Sequence, residues 1–313
     1  MNEDDLALLR TTVRSAFDDL APMAEVRRLM DTEAGWDRAT WVRLCQEIGL
    51  TGLAVPESYG GTGGSAVELG MVFEEAGRSL LAAPLFATAA LAIPLLLALD
   101  DPTALAQYLP GICDGSIVAT AALTGDPVSG MRSGEVGYVV DGASADLILV
   151  PVRTEDGLAV FAVEGNAAGL RRTPLVTLDP TRKQARLTFD EVRAQRIGKG
   201  DATPAVGHAL DTARAMLANE QAGAAARCLA ATVDYARSRI QFGRPIGSFQ
   251  AVKQQTADML IQVESARSAA ITAAQAAAGL PEAPDLPVAA AVAKAYCSEA
   301  FVRVASDMIQ LHG

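Results

Sequence analysis

Three side chains set close together in YARSRIQFGRPIGSFQAVKQQTADM, residues 235–259, could between them hold a nucleotide. Arg239 offers a planar fork of donors suited to a phosphate, Phe242 a face for stacking, and Gln250 an amide that reads a ring edge as donor and acceptor together. Those are the needs of a dinucleotide. The elements that must position them read as two helices joined by a turn. Val233, Ala236 and Ile240 give the first helix an apolar stripe, with Arg237 and Arg239 pointing elsewhere. Gly243 stops that helix, Pro245 and Gly247 stiffen the connection, and Ser248 is placed to cap a second helix whose face carries Val252, Met259 and Ile261. The competing reading is a plain helical hairpin in which Arg239 is a solvated cation and Phe242 is core.

Other chemistries find little support. Cys45, Cys113, Cys228 and Cys297 are far apart with no CxxC pair, and read as reduced thiols. His208 and His312 stand in no metal-like spacing, so neither a zinc site nor a histidine-centred triad is expected. A formal net charge of -11 argues against nucleic acid or an anionic membrane surface as partner. The start, MNEDDLALLR, is unlike a signal peptide, and no run reaches the roughly 18 apolar residues of a membrane span. A cytoplasmic location is the default expectation.

The chain has 313 residues, half of them hydrophobic, enough for two or three units with a sizeable core. The expected class is α+β. Residues 1–112 form an N-terminal helical domain, on the evidence of apolar faces at Leu6, Leu9, Val13 and Phe17, at Trp41, Leu44 and Ile48, and at Leu69, Val72, Phe73 and Ala76. Gly60, Gly61, Gly63 and Gly64 mark a flexible connection within it; a phosphate loop is the weaker alternative, since its GKS or GKT ending is absent. Residues 113–199 form a β domain, with strands at IVATAAL, YVVDG, LILVPV, LAVFAV and ARLTF. Residues 200–313 form a helical bundle of Ala-rich helices at about 202–238, 248–279 and 286–312, the last two separated by Gly279, Pro281, Pro284 and Pro287.

The Tyr235–Met259 segment, GLAVPESYGG and GMVFEEAGRSL together resemble the acyl-CoA dehydrogenases. The resemblance implies that Arg239 approaches the pyrophosphate of FAD bound largely by a neighbouring subunit, with Phe242 and Gln250 against its adenosine part. Gln310 and Gly313, in the closing DMIQLHG, would approach the FAD of the adjoining subunit. The family's Thr-Glu-Pro strand appears here only as ALTGDP, which leaves Thr124 as the one flavin neighbour the β domain offers, and the family's usual tryptophan is missing from the neighbourhood of DGASADLILV.

The family removes two hydrogens across the carbons α and β to a thioester, and a carboxylate takes the α proton. Counted back from Arg239, the helical position of that base is Ala213, which accepts no proton. The family's other base position falls beyond residue 313. Asp211 is turned about 200° away on the helix. Glu220 shares Ala213's face about 10 Å further along and is the internal candidate, against a structural role in a helix contact. GLAVPESYGG, RRTPLVTLDPTRKQARLTFDEV and FGRPIGSFQAVK resemble the short, base-lacking subunit of bacterial heteromeric, steroid-type enzymes. Truncation of a longer chain at Gly313 is the other account of the missing base. The resemblance implies a flavin-dependent dehydrogenase of an acyl-CoA, with a catalytic partner subunit or a self-oligomer, passing electrons to an electron-transfer flavoprotein. The alternatives are a noncatalytic scaffold or ligand-binding protein of the same fold, and a flavin enzyme that reacts with oxygen.

Overall fold

The computed structural model describes residues 3–125, 127–129 and 133–313. Six helices come first: α1 (Glu3–Leu20), α2 (Met23–Met30), α3 (Arg38–Ile48), α4 (Ala66–Ser79), α5 (Ile93–Leu99) and α6 (Pro102–Cys113). The helical period places Val13, Phe17, Trp41, Leu44, Val72 and Phe73 in one apolar core. A π-helical turn, Phe86–Ala92, runs straight into α5. Such turns displace a side chain from the ordinary helical register, and here Phe86 faces the β domain's Arg182.

The glycine-rich connection differs from the flexible segment expected. A Cβ on Gly61 would lie 2.0 Å from the Val55 carbonyl oxygen, and one on Gly64 would lie 2.7 Å from that of Leu53. These glycines permit close backbone packing. The helix after them is capped from within, Glu68 accepting from the Ser65 backbone N–H (2.8 Å) and Ser65 Oγ from that of Val67 (3.2 Å). With those amides engaged, a phosphate cradle is not formed.

The middle region makes two sheets. β1 (Ala119–Ala121), β3 (Leu147–Thr154), β4 (Gly157–Glu164) and β7 (Gln195–Ile197) lie in the order β1-β3-β4-β7, β1 parallel to β3 and the rest antiparallel. β2 (Ser133–Val140), β5 (Leu170–Pro174) and β6 (Gln184–Asp190) form an antiparallel sheet in the order β2-β6-β5. β3 is apolar from Leu147 to Val152 because both its faces are covered there, whereas β6 alternates, turning Ala185, Leu187 and Phe189 inward. The edge strands β5 and β7 were not expected: LRRTP and QRI are mostly polar and lack an apolar run.

Three long helices follow: α7 (Thr203–Ser238), α8 (Gln250–Ala277) and α9 (Leu286–His312). α7 is buried on several sides by α4, α8 and α9, and small residues such as Ala209, Ala218, Ala222 and Ala225 let the neighbours approach. Gly279, at φ 65°, ends the α8 segment, and Pro287 fits the first turn of α9.

Three local expectations are corrected. Ile240 is 53% exposed and belongs to a short hairpin rather than to the helix stripe. Ser248 does not cap α8: it closes a 3-10 turn by donating to the Pro245 carbonyl oxygen (2.7 Å), and the helix starts two residues later. Ile261 is exposed, and Val263 joins Met259 in the core.

Candidate cofactor-binding end and interdomain cleft

Because α7, α8 and α9 run alternately up and down, the C-terminus of α7, the N-terminus of α8 and the C-terminus of α9 meet at one end. Tyr235 of α7 stacks on His312 of α9 with ring centroids 4.2 Å apart, and Gln255 of α8 donates to Asp307 of α9 (3.0 Å). Arg239, Phe242, Gln250, Gln310 and Gly313 therefore share this end, and all five are exposed.

Between α7 and α8 the chain makes a tight hairpin of β8 (Ile240–Gln241) and β9 (Arg244–Pro245). Its two turn residues, Phe242 and Gly243, have φ of 52° and 76°. Glycine takes this left-handed conformation freely, but for phenylalanine it costs about 1–2 kcal/mol. The strained ring gains little burial in return: Phe242 is 91% exposed and meets Phe249 edge-on at 6.1 Å. Arg239 is fixed through its backbone, its N–H donating to the Tyr235 carbonyl oxygen (2.8 Å) and its own carbonyl oxygen accepting from Ile246 (2.9 Å). Among the described residues its guanidinium has neither an ion-pair nor a hydrogen-bond partner. A free planar cation beside an unburied aromatic face and a side-chain amide fits the pyrophosphate and adenosine of FAD.

Thr124 stands apart from this end, in the loop after β1, where its Oγ1 donates to the Gly137 carbonyl oxygen (2.6 Å). Asp126 of the same ALTGDP turn lies outside the described residues. Ala213 is buried, a methyl group in the core. Asp211 pairs with Arg214 on its own helix (2.5 Å). Cys45, Cys113, Cys228 and Cys297 are unpaired, and burial pushes the Cys45 and Cys297 thiols up to about 12. Among the described residues no cluster of three His, Cys, Asp or Glu could hold a metal ion.

Glu220 lies elsewhere, in a cleft of about 380 Å³ where all three regions of the chain meet. Its carboxylate is held by Arg182, whose guanidinium lies 4.8 Å from the centroid of the Phe86 ring. An acid committed to an arginine is poorly suited to taking a proton from carbon. Asp141 lines the same cleft, and burial pushes its carboxyl up to about 7 despite the pull of Arg182. Sequence reasoning missed both Asp141 and Arg182. Asp141 reads as a turn residue in YVVDG, and Arg182 as one charge among several in DPTRKQAR, so only the packing of the domains reveals them.

The Asp141 geometry carries a prediction. A carboxyl that holds its proton more tightly folded than unfolded loses stability as pH rises from its ordinary 3.8 to about 7, and the loss is constant above that. Asp141→Asn keeps the shape and tolerates the positive φ of 52°. It is expected to stabilise the protein by about 1–3 kcal/mol at pH 8 and to change little at pH 4. Thermal melts across that range check this, and an asparagine variant less stable at pH 8 contradicts it.

Helical, β and helical regions in this order make up the acyl-CoA dehydrogenase fold. The family patterns described as "Acyl-CoA dehydrogenase, N-terminal domain" and "Acyl-CoA dehydrogenase, C-terminal domain" match residues 3–116 and 203–313, and the chain belongs to that family. It is 37% identical over 313 residues to acyl-CoA dehydrogenase IpdE2 of Mycobacterium tuberculosis, covering 99% of this chain and 86% of the relative. Identity to IpdE2 of Mycolicibacterium smegmatis is 31%, over 99% of this chain and 87% of that one. Among solved structures, the ChsE4-ChsE5 complex from Mycobacterium tuberculosis matches at TM-score 0.90 and 29% identity, covering 100% of this chain and 87% of the matched chain. A variant of the Tcur3481-Tcur3483 steroid ACAD matches at 0.85 and 32%, over 99% and 87%. The likeness is to steroid-type, two-chain members of the family.

Proposed function

We propose that this chain is the base-lacking subunit of a two-chain, FAD-dependent acyl-CoA dehydrogenase. The observation that carries the reading is the free Arg239 guanidinium beside the strained, exposed Phe242 at an end shared by three helices. Arg239 would hold the pyrophosphate, Phe242 and Gln250 the adenosine, and Gln310 and Gly313 would border the same cofactor. Thr124 is the neighbour the β domain offers to the flavin ring. When bound, the flavin supplies a hydride acceptor for dehydrogenation α,β to the thioester. This chain's own contribution is binding and orientation, because Ala213 is a buried methyl and Glu220 is occupied by Arg182.

A partner subunit then provides the carboxylate; the likeness to the ChsE4-ChsE5 complex supports the presence of such a partner. The outer side of α9 leaves Val288, Val292, Val302 and Ile309 exposed, an apolar stripe suited to packing against helices of a partner or a second copy. We further propose domains at 1–112, 113–199 and 200–313, a steroid-derived acyl group, an electron-transfer flavoprotein as acceptor and a cytoplasmic setting. No helix among the described residues is long and apolar enough to cross a membrane.

Co-expression with a base-bearing dehydrogenase subunit tests the reading. A yellow complex that oxidises acyl-CoA only when both chains are present is expected. Turnover by this chain alone, or a stable complex without flavin, would overturn it.

A further inference from the structure

A second cavity, of about 300 Å³, opens between α1, α4, α7 and α8, away from the residues assigned to flavin. It shares no lining residue with the cleft around Glu220, and Arg239 lies twelve residues beyond the cavity's Arg227 along α7, about 18 Å by the helical rise. Five guanidinium groups line it: Arg10 and Arg14 from α1, Arg78 from α4, Arg227 from α7 and Arg267 from α8. In a chain of formal net charge -11, that is a local reversal of sign.

The buried floor accounts for only part of this charge. Glu74 and Glu75 are buried side by side on α4, Glu74 holding Arg10 (2.7 Å) and Arg267 (3.1 Å), and Glu75 holding Arg10 (3.0 Å), Arg14 (2.7 Å) and Arg78 (2.9 Å). Burial pushes the Glu75 carboxyl up, but the hydrogen bonds from Arg14 and Arg78 outweigh it and hold the group below its ordinary value. Asp18 and Glu264 add outer ion pairs to Arg78 and Arg267, each at 2.8 Å, from exposed positions. The fifth cation, Arg227, is exposed and has no ion-pair or hydrogen-bond partner among the described residues. Two buried carboxylates need two cations, and four helices supply five.

The floor also fixes how the donors point. Arg10, Arg14 and Arg267 each commit some N–H groups to the acids, which sets the planes of their guanidinium groups, yet their side chains stay 35–47% exposed. A guanidinium carries five N–H donors, so each keeps some for the cavity. Donors arriving from several helices suit a compact ligand with oxygens in several directions and more than one charge. A phosphate group is tetrahedral and multiply charged, whereas a carboxylate offers two oxygens in one plane and a single charge. None of the described residues lining the cavity is aromatic, so it offers a base no face for stacking.

We propose that this cavity binds a phosphate or pyrophosphate group, with Arg227 given over to the ligand and Arg10, Arg14 and Arg267 completing the ring of donors. A bound anion links α7 to α1 and α8 and so stabilises the folded chain.

Calorimetric titration of the full chain with sodium pyrophosphate at fixed ionic strength, paired with thermal melts, is the test. Pyrophosphate should bind and raise the unfolding midpoint, citrate should bind about 10-fold more weakly, and chloride should do neither. Arg227→Gln removes the unpaired cation and leaves every ion pair in place, so the fold should stand while pyrophosphate affinity falls about 10- to 100-fold. Arg239→Ala controls for capture at the other exposed arginine, and pyrophosphate binding should survive it. In that background ADP separates the sources: affinity equal to that of pyrophosphate assigns the site to a nucleotide's phosphates, and weaker binding assigns it to the free anion. Citrate binding as tightly as pyrophosphate would transfer the cavity to a carboxylate-bearing partner and overturn the assignment. So would an absence of pyrophosphate binding, wild-type affinity in Arg227→Gln, or loss of binding in Arg239→Ala.

Discussion

Arg239→Ala is expected to cut FAD retention by the assembled protein about 10- to 100-fold, the loss that follows when a charge-assisted, two-pronged contact to a phosphate disappears. The fold should be untouched, because the guanidinium has no partner among the described residues and Arg239 is anchored only through its backbone bonds to Tyr235 and Ile246. Arg239→Lys keeps the charge but loses the planar fork, so it should retain flavin to an intermediate degree. Phe242→Gly offers an independent check. It relieves the left-handed strain at φ 52° and removes the exposed ring, so it should raise thermal stability slightly while weakening FAD retention. Opposite movement of stability and cofactor affinity is the signature of a residue held in strain for a ligand. Flavin content after desalting, read by absorbance, decides it: Arg239→Ala with wild-type flavin content would remove the basis of the nucleotide assignment.

The features legible in the sequence share a physical trait, which is that they are local. The apolar period of α1, α3 and α4 and the apolar runs of β3 and β4 follow from neighbours along the chain, and the structure places Val13, Phe17, Leu44 and Phe73 in the core as the period requires. The Arg239 turn was likewise readable, since Gly243 and Pro245 punctuate it within a few residues. Where reading failed, either a competing local bond or a distant contact decided. Ser248 is a good cap by type, but the hairpin delays the helix start and the hydroxyl bonds backward to Pro245 instead. β5 and β7 are strands because β6 and β4 offer them edges, not because LRRTP or QRI favours extension. The cleft is the extreme case. Phe86, Asp141, Arg182 and Glu220 are scattered across the chain, and no spacing rule joins them.

The same non-local logic predicts the largest loss of stability at a place where the sequence shows only small residues. On α4 and α7, Gly77 and Gly223 face each other's backbones reciprocally: a Cβ on Gly77 would lie 1.8 Å from the Glu220 carbonyl oxygen, and one on Gly223 would lie 1.8 Å from that of Glu74. Ordinary contacts are 3.4–4 Å, and a helix carbonyl cannot swing aside as a side-chain end could. An added methyl must therefore push the helices apart, loosening the packing around the buried Glu74 and Glu75, which hold Arg10 and Arg14 of α1. Overpacking of this kind costs about 1–3 kcal/mol and occasionally more, and rigid backbone on both sides places this crossing at the upper end. The gain in helix propensity of about 1 kcal/mol from glycine to alanine offsets only part of that. Gly207→Ala is the control, because Gly207 also lies in α7 but nothing comes within 4 Å of its Cβ position. It should be neutral or mildly stabilising, while Gly77→Ala and Gly223→Ala each lower the unfolding midpoint by several degrees. The double variant should lose less than the sum of the two, since one separation of the helices relieves both clashes. If Gly77→Ala melts together with Gly207→Ala, the α4–α7 crossing is not the tight seam on which Glu220 and its cleft depend.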